Sequence, residues 1–430
     1  MNLESLKFIN NEYLNIYKFF QRIYSNDVIR EESDILDLSS IISVLKILYE
    51  GAAGYQKVLL NGNNNVKQLI NNIPPPQFYR SAIFIHPMYS SNIMLDFRTK
   101  FDQDNIFHDM PTPKNMNKIN SLIETKFPKF PKSDRKFIFG SFFINPCKDK
   151  KDHCRLYIKN EVEFRQNWKN GPFSETYKDN FHIGGGNTFE IDMLISRQRE
   201  NLLSCEYKNS LFVSIPYNND SKMLIIMPNT PLTKTELMNF FNTISGEDII
   251  DFYTINGKDI LYNVKIMPKF AARSYWQLRN DDTIFRKLRL NNRQDEEYLE
   301  TFFNDRMNLR NICSDFPPNN NYLSLEYRSM FTNSENGSSV RSETENTVCD
   351  IGTTIFKQDP KTKDTLNYLL APPPSSSSSS SSSSRPIFRA RENVLKLDRS
   401  FLFLILNKHN VISHIGCCVD PLEEIQMYYY

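Results

Sequence analysis

The chain has 430 residues, of which 40% are hydrophobic and 13% aromatic, enough for a packed core in one large domain or two ordinary ones. Lys+Arg 52 against Asp+Glu 50 leaves a formal charge of +2, and no basic stripe interleaved with aromatics rises above that balance, which argues against a nucleic-acid partner. The longest apolar run of note, FLFLIL at Phe401 to Leu406, falls far short of the ~20 residues needed to cross a bilayer, so no membrane span is expected.

The start, MNLESLKFINNEYLNIYKFFQRIY, has no basic n-region, compact apolar h-region or small-residue cleavage site. No conventional signal peptide is visible, and the expected location is cytoplasmic, with leaderless secretion as the alternative. Within this stretch LNIYKFFQRIY has apolar residues at helical spacing, and SSIISVLKILYEGAAG reads as a second helix ending at Gly51 or Gly54. SAIFIHP predicts a short strand and MNKINSLIETKF a third helix.

Cys147, His153 and Cys154 form the nearest approach to a zinc site, but they offer too few ligands at no recognised spacing. No metal or other cofactor is expected. The strand that follows, CRLYIKNEVEF, places Leu156, Ile158, Val162 and Phe164 on one parity and Arg155, Lys159, Glu161 and Glu163 on the other, the period of a strand with one buried face. Asn160 falls on the apolar side. A buried amide without partners costs roughly 1–3 kcal/mol, so Asn160 is expected to bond something specific across the core. HIGGGNT at His182 to Thr188 lacks the Lys-Ser/Thr of a phosphate loop and reads as a tight turn between strands.

Further strands are predicted at SLFVSIPY, KMLIIMPN, DIIDFYTI and DILYNVKIMPKF, with a helix at TKTELMNFFNTI between the second and third. Helices follow around SYWQLRNDDTIFRKL and DEEYLETFFND, then a strand at YLSLEYRSMFT. About seventy residues beyond Phe331 show no element pattern until Val394, and they include a run of three prolines followed directly by ten serines. Loops longer than ~12–15 residues are usually functional or disordered. The chain closes on FLFLILNKHNVISHIGCCV, a nearly all-apolar hairpin. Its seven cysteines cannot all pair internally, and Cys417 and Cys418 are adjacent, so reduced thiols are expected. No Gly-x-Ser-x-Gly elbow argues for hydrolase chemistry. The overall pattern is α+β with several sheets.

LKLDRSFLFLILNKHNVISHIGCCVDP resembles the C-terminal signature of the serpin family, in which an aromatic segment leads into Pro-Phe-Leu-Phe and ends in Gly-x-Val-x-x-Pro. Four other segments agree in order: SSIISVLKILYEGAAG with the helix that ends in a Gly-Ala turn, IKNEVEFRQNW with the Asn-x-x-x-Phe-x-x-x-Trp strand, VSIPYNNDSKMLIIMPN with the Pro-Tyr and Met-Leu-Ile-x-x-Pro pair, and NVKIMPKF with the Pro-Lys-Phe strand. The resemblance implies a serpin fold over residues 1–430, with three β-sheets, about nine helices and an exposed reactive loop. That loop would occupy residues 338–393, with a disordered Pro/Ser-rich insertion at about 352–388. Asn160 and Ser40 match the family's shutter residues and Trp168 its breach tryptophan. Two departures stand out: Asp37 and Leu38 replace a Ser-Pro pair, and Arg328 is read at the shutter histidine. Asp37 and Arg328 are expected to pair, since a lone buried charge is costly.

In inhibitory members of the family the loop is cleaved, becomes acyl-linked to the protease and inserts into the central sheet. The family's small-residue hinge is replaced here by SENGSSVRSETENTVCDIG. If Gly337 is the hinge glycine, Ser338, Val340, Ser342 and Thr344 face inward while Ser339, Arg341, Glu343 and Glu345 face solvent. Counting forward from the preceding strand shifts the register by one and buries the three charges, each at several kcal/mol. The charge parity favours the first register. The scissile bond then falls at Ile351–Gly352, or at Asp350–Ile351 if the loop is one residue shorter. Counting backward from Phe401 lands instead at Arg389–Ala390, and cleavage there leaves nearly forty slack residues between inserted strand and protease.

The expected function is therefore suicide-substrate inhibition of a serine or cysteine endopeptidase by a monomeric, metastable, non-enzymatic protein. The alternative is a non-inhibitory binding or decoy protein on the same fold, which the polar hinge, Asp37 and Arg328 favour.

Overall fold

The computed structural model describes residues 2–25, 32–53, 78–101, 106–108, 110, 114–128, 154–279, 308–316, 321–350 and 393–421, and the statements below concern these residues. Helix α1 (Leu3–Ser25) turns Ile9, Tyr13, Tyr17 and Phe20 into the core. Strand β1 (Asp34–Asp37) runs directly into α2 (Leu38–Gly51). Asp37 caps α2, its Oδ1 accepting from the Ser39 and Ser40 amides at 2.9 and 3.3 Å. An aspartate serves there as well as the family's serine, because either side-chain oxygen satisfies the orphan amides of a first helical turn.

Three sheets follow. The first has seven strands in the order β1, β17 (Ile412–Cys418), β16 (Phe401–Leu406), β9 (Lys222–Pro228), β8 (Ser210–Pro216), β7 (Glu200–Tyr207) and β10 (Lys258–Tyr262). The second has four: β15 (Val394–Lys396), β11 (Val264–Pro268), β6 (Thr188–Ser196) and β5 (Glu175–His182). The third has six: β12 (Phe270–Arg279), β13 (Asn321–Asn333), β14 (Gly337–Asp350), β4 (Cys154–Asn167), β2 (Phe78–Ile85) and β3 (Ile106–Phe107).

Strand β16 of the closing hairpin is apolar at every position because it has cores on both sides. Leu402, Leu404 and Leu406 join the cluster built on α1 and α2, while Phe401, Phe403 and Ile405 join a second cluster with Phe331 and Val340. The short helix α3 (Leu95–Lys100) adds Phe97 to the first cluster, while α4 (Met116–Lys126) packs Ile119 and Ile123 on Ala82, Phe84 and Tyr157 in a third.

Four expectations change. DIIDFYTI is helical: α6 (Gly246–Asp251) follows α5 (Lys234–Phe241), then a π-turn spans Phe252–Asn256. Ser245 and Asp248 form a capping box that starts α6, a signal outweighed in the sequence by the isoleucines. The segment SYWQLR is strand rather than helix, because Trp276 is held between Phe20 and Tyr327 by ring stacking at 4.8 and 4.9 Å while Tyr275 faces out. Residues 280–307, where the rest of two expected helices falls, lie outside the described residues. Strand β4 is buried on both faces, not one, with Arg155, Lys159, Glu161 and Glu163 all buried. Finally, residues 338–350, expected to open an exposed loop, form the third strand of the six-stranded sheet. HIGGGNT is a turn between β5 and β6, with Gly185 and Gly186 at φ +73° and +79°.

Candidate functional site

Strand β14 lies antiparallel between β13 and β4, paired to both, and fills the gap between them. Its register sets Gly337 opposite Asn167, Val340 opposite Phe164 and Thr344 opposite Asn160. Ser338, Val340, Ser342 and Thr344 point inward and are no more than 3% exposed. Of the two registers the sequence left open, this is the one anchored on Gly337.

At the top of the gap, β13 turns into β14 through residues 334–336, closed by the Ser334 amide donating to the Gly337 carbonyl at 2.9 Å. A Cβ on Gly337 would lie 2.0 Å from the Gln166 carbonyl oxygen, so glycine is needed for the strand to approach β4 this closely. Trp168 supports the turn from below. Its indole stacks on Tyr217 at 4.8 Å, its Nε1–H donates to the Ser334 carbonyl at 3.2 Å, and its amide donates to the Asn336 carbonyl at 3.1 Å.

Halfway down, the inner face meets α2. Thr344 Oγ1 and Ser40 Oγ share a hydrogen bond of 2.6 Å, both side chains fully buried. Asn160 lies beside them, its amide oriented so that nitrogen donates to Ser81 Oγ at 2.6 Å and to the Lys159 carbonyl at 3.2 Å while oxygen accepts from the Val44 amide at 3.1 Å. Asp37 stands behind, its carboxylate 3.7 Å from His414 Nε2. Burial pushes the His414 imidazole below its ordinary range, with Asp37 pulling the other way.

The expected Asp37–Arg328 pair is absent. Successive residues of a strand face opposite ways, and Tyr327, not Arg328, faces Asp37, taking its amide hydrogen on the phenol oxygen at 2.6 Å. Arg328 is on the outer face, where it pairs with Glu326 and lies over the Tyr275 ring.

On that outer face the charges of β14 are not left in water. Arg341 pairs with Glu161, which also holds Arg80 of β2. Lys159, with a fully buried side chain, reaches Glu345 at 2.9 Å and Glu343 at 3.6 Å. Burial raises the Glu161 carboxyl, but Arg341 and Arg80 outweigh it and hold it below its usual range. Likewise burial lowers Lys159, and Glu343, Glu345 and Glu161 more than restore it.

Tyr327, Ser81, His414 and Arg80 were not singled out in the sequence. For the pairing of β4 with β14 a signal existed in the alternating charges of KNEVEFR and RSETEN, two patterns of period two that complement each other. The side chain of Asp350 and the candidates Ile351, Gly352, Arg389 and Ala390 lie outside what is described, as do Cys147 and His153. Among the described residues no three His, Cys, Asp or Glu side chains converge as a metal site, and Cys205, Cys313, Cys417 and Cys418 are free thiols.

The sequence profile of the family described as Serpin (serine protease inhibitor) matches residues 144–421. No curated protein sequence matches the chain. Among solved structures, a cleaved Serpin 42Da superposes with a TM-score of 0.64 at 15% identity, over 97% of this chain and 99% of that one. A loop-inserted structure of a cleaved ovalbumin mutant superposes with a TM-score of 0.62 at 13% identity, over 97% of this chain and 100% of that one. Human thyroxine-binding globulin in complex with its hormone follows at a TM-score of 0.60 and 13% identity, over 98% of this chain and 99% of that one. At such identities the likeness is one of fold.

Proposed function

The chain belongs to the serpin family, and on that premise we propose that it is a suicide-substrate inhibitor of an endopeptidase, of the serine class first and the cysteine class second. The observation that carries this reading is the fit of β14 to its gap. Small or apolar side chains face inward at Ser338, Val340, Ser342 and Thr344, and the strand runs to Asp350, with one register shift against β4 between Val348 and Cys349, next to the proposed scissile bond Ile351–Gly352.

The chemistry belongs to the protease. Its nucleophile attacks the Ile351 carbonyl, the bond to Gly352 breaks, and the new amine of Gly352 takes the proton, leaving Ile351 acyl-linked to the enzyme. Entry of the strand then gains hydrogen-bond ladders to both β13 and β4 and buries Val340 and Val348. Fourteen residues at ~3.3 Å each carry the linked enzyme about 46 Å, before water can release it. The same movement fails if the bond cut is Arg389–Ala390, because the pull is lost in slack chain.

Mixing the full chain with a panel of serine and cysteine proteases tests this. A complex that survives denaturing electrophoresis, with the new amino terminus at Gly352 or Ile351 by mass spectrometry, is the expected result. Clean cleavage at Arg389 without a complex overturns it.

A second reading, a non-inhibitory binding protein, is favoured by one observation: β14 already occupies the sheet in a chain of 430 continuous residues. A strand that is in place before cleavage has no insertion left to drive. Thyroxine-binding globulin is an instance of this fold in complex with a small molecule.

A further inference from the structure

Small inward residues would let many strands enter the gap between β13 and β4, so shape alone selects weakly. The outer face carries a second demand. Among the described residues of β2, β4 and β13, Arg80, Arg155, Lys159, Arg165 and Arg328 stand on this side of the sheet with Glu161, Glu163 and Glu326, five cations to three anions. Strand β14 brings one cation, Arg341, and two anions, Glu343 and Glu345.

We propose that this gap is a charge-coded strand site, in which Glu161 and Lys159 select the entering strand by its Arg341 and Glu345. The ligand it fits is an extended peptide with small residues facing in and the outward sequence cation, anion, anion at alternate positions. This rests on the reading of β14 as the strand that enters the sheet.

The register shows why order matters as well as count. Glu343 sits opposite Glu161, and Glu345 sits opposite Glu326, two like-charged pairs that would disfavour the strand on their own. They are offset by unlike charges directly across, Lys159 from Glu345, Glu163 from Arg341 and Arg328 from Glu343, and by ion pairs one step along, Arg341 to Glu161, Lys159 to Glu343 and Arg328 to Glu326. Placing an anion at position 341 would set another carboxylate beside Glu161 and Glu163. Neutral residues at 343 and 345 would take two carboxylates from Lys159, whose side chain is fully buried. Rejection of wrong strands is thus built in together with acceptance of the right one. The charges decide which face of the strand turns inward, and Gly337 decides how far the strand slides.

Hydrogen exchange of the β14 amides in the full chain, followed by mass spectrometry, tests the proposal without any protease, so the outcome is separate from whether the protein traps one. Glu345→Gln should speed exchange across β14 about tenfold in the wild-type background and by much less when Lys159→Met is already present. Arg341→Gln should speed it similarly, while Arg341→Lys, which keeps the charge, should lie near wild type. The Arg341 pair of variants decides the matter if Lys159→Met does not fold. Equal acceleration by Glu345→Gln in both backgrounds, or equal exchange in Arg341→Gln and Arg341→Lys, overturns the proposal.

Discussion

Ser40 Oγ and Thr344 Oγ1 lie 2.6 Å apart with no exposure to water, a hydrogen bond between α2 and β14 that spans 304 residues of sequence. It exists only while β14 is in the sheet. Ser40→Ala or Thr344→Val alone should cost roughly 1–3 kcal/mol by leaving one buried hydroxyl unpaired, whereas the double variant should cost little more than either single one. Denaturant midpoints of the protein after cleavage of the loop are the measurement.

Ser342 offers a sharper perturbation. Its side chain is inward and fully buried, so Ser342→Arg would bring an unpaired charge into the core at several kcal/mol. The variant should still be cut by a protease that recognises the loop but should form no stable complex. Persistence of the complex on a denaturing gel would count against strand entry as the trapping step.

Gly337→Ala places a Cβ 2.0 Å from a backbone oxygen that has nowhere to go. The expected loss is ~1–3 kcal/mol, as for other overpacked sites. It should show as faster amide exchange at residues 338–340 and as a shift in Trp168 fluorescence, since the indole holds the same turn.

His414 makes stability depend on pH. Its ring faces Asp37 and the Phe164 ring, with Ser413 Oγ 2.9 Å from Nδ1, and burial sets its folded pKa below the ordinary 6.5. The unfolded chain therefore takes up a proton first as pH falls, and stability declines below about pH 6.5. His414→Phe should flatten that decline between about pH 6.5 and 5 in thermal unfolding, above the range where carboxylates take over.

How much of this was legible depended on where each residue draws its conformation from. The β16–β17 hairpin and the inner parity of β4 were readable because burial writes itself into sequence as apolar residues. Strand β14 was not, since its Ser, Glu and Asn residues carry little strand preference and are held extended by partners on each side. Arg341 and Glu345 read as a solvated loop until Glu161 and Lys159, some 180 residues away, were brought against them.

Strand β14 is seated in the six-stranded sheet while β15 still pairs with β11 in the four-stranded one, and 43 residues, 351–393, join them. That tether can reach ~140 Å when extended, several times the length of β14. An uncut molecule can therefore complete the same strand exchange that cleavage triggers, without surrendering either end. On the proposed inhibitory reading, its shelf life is then set by its own clock, the rate at which the loop enters unprompted, and freshly folded protein should trap more protease than the same protein aged at constant concentration.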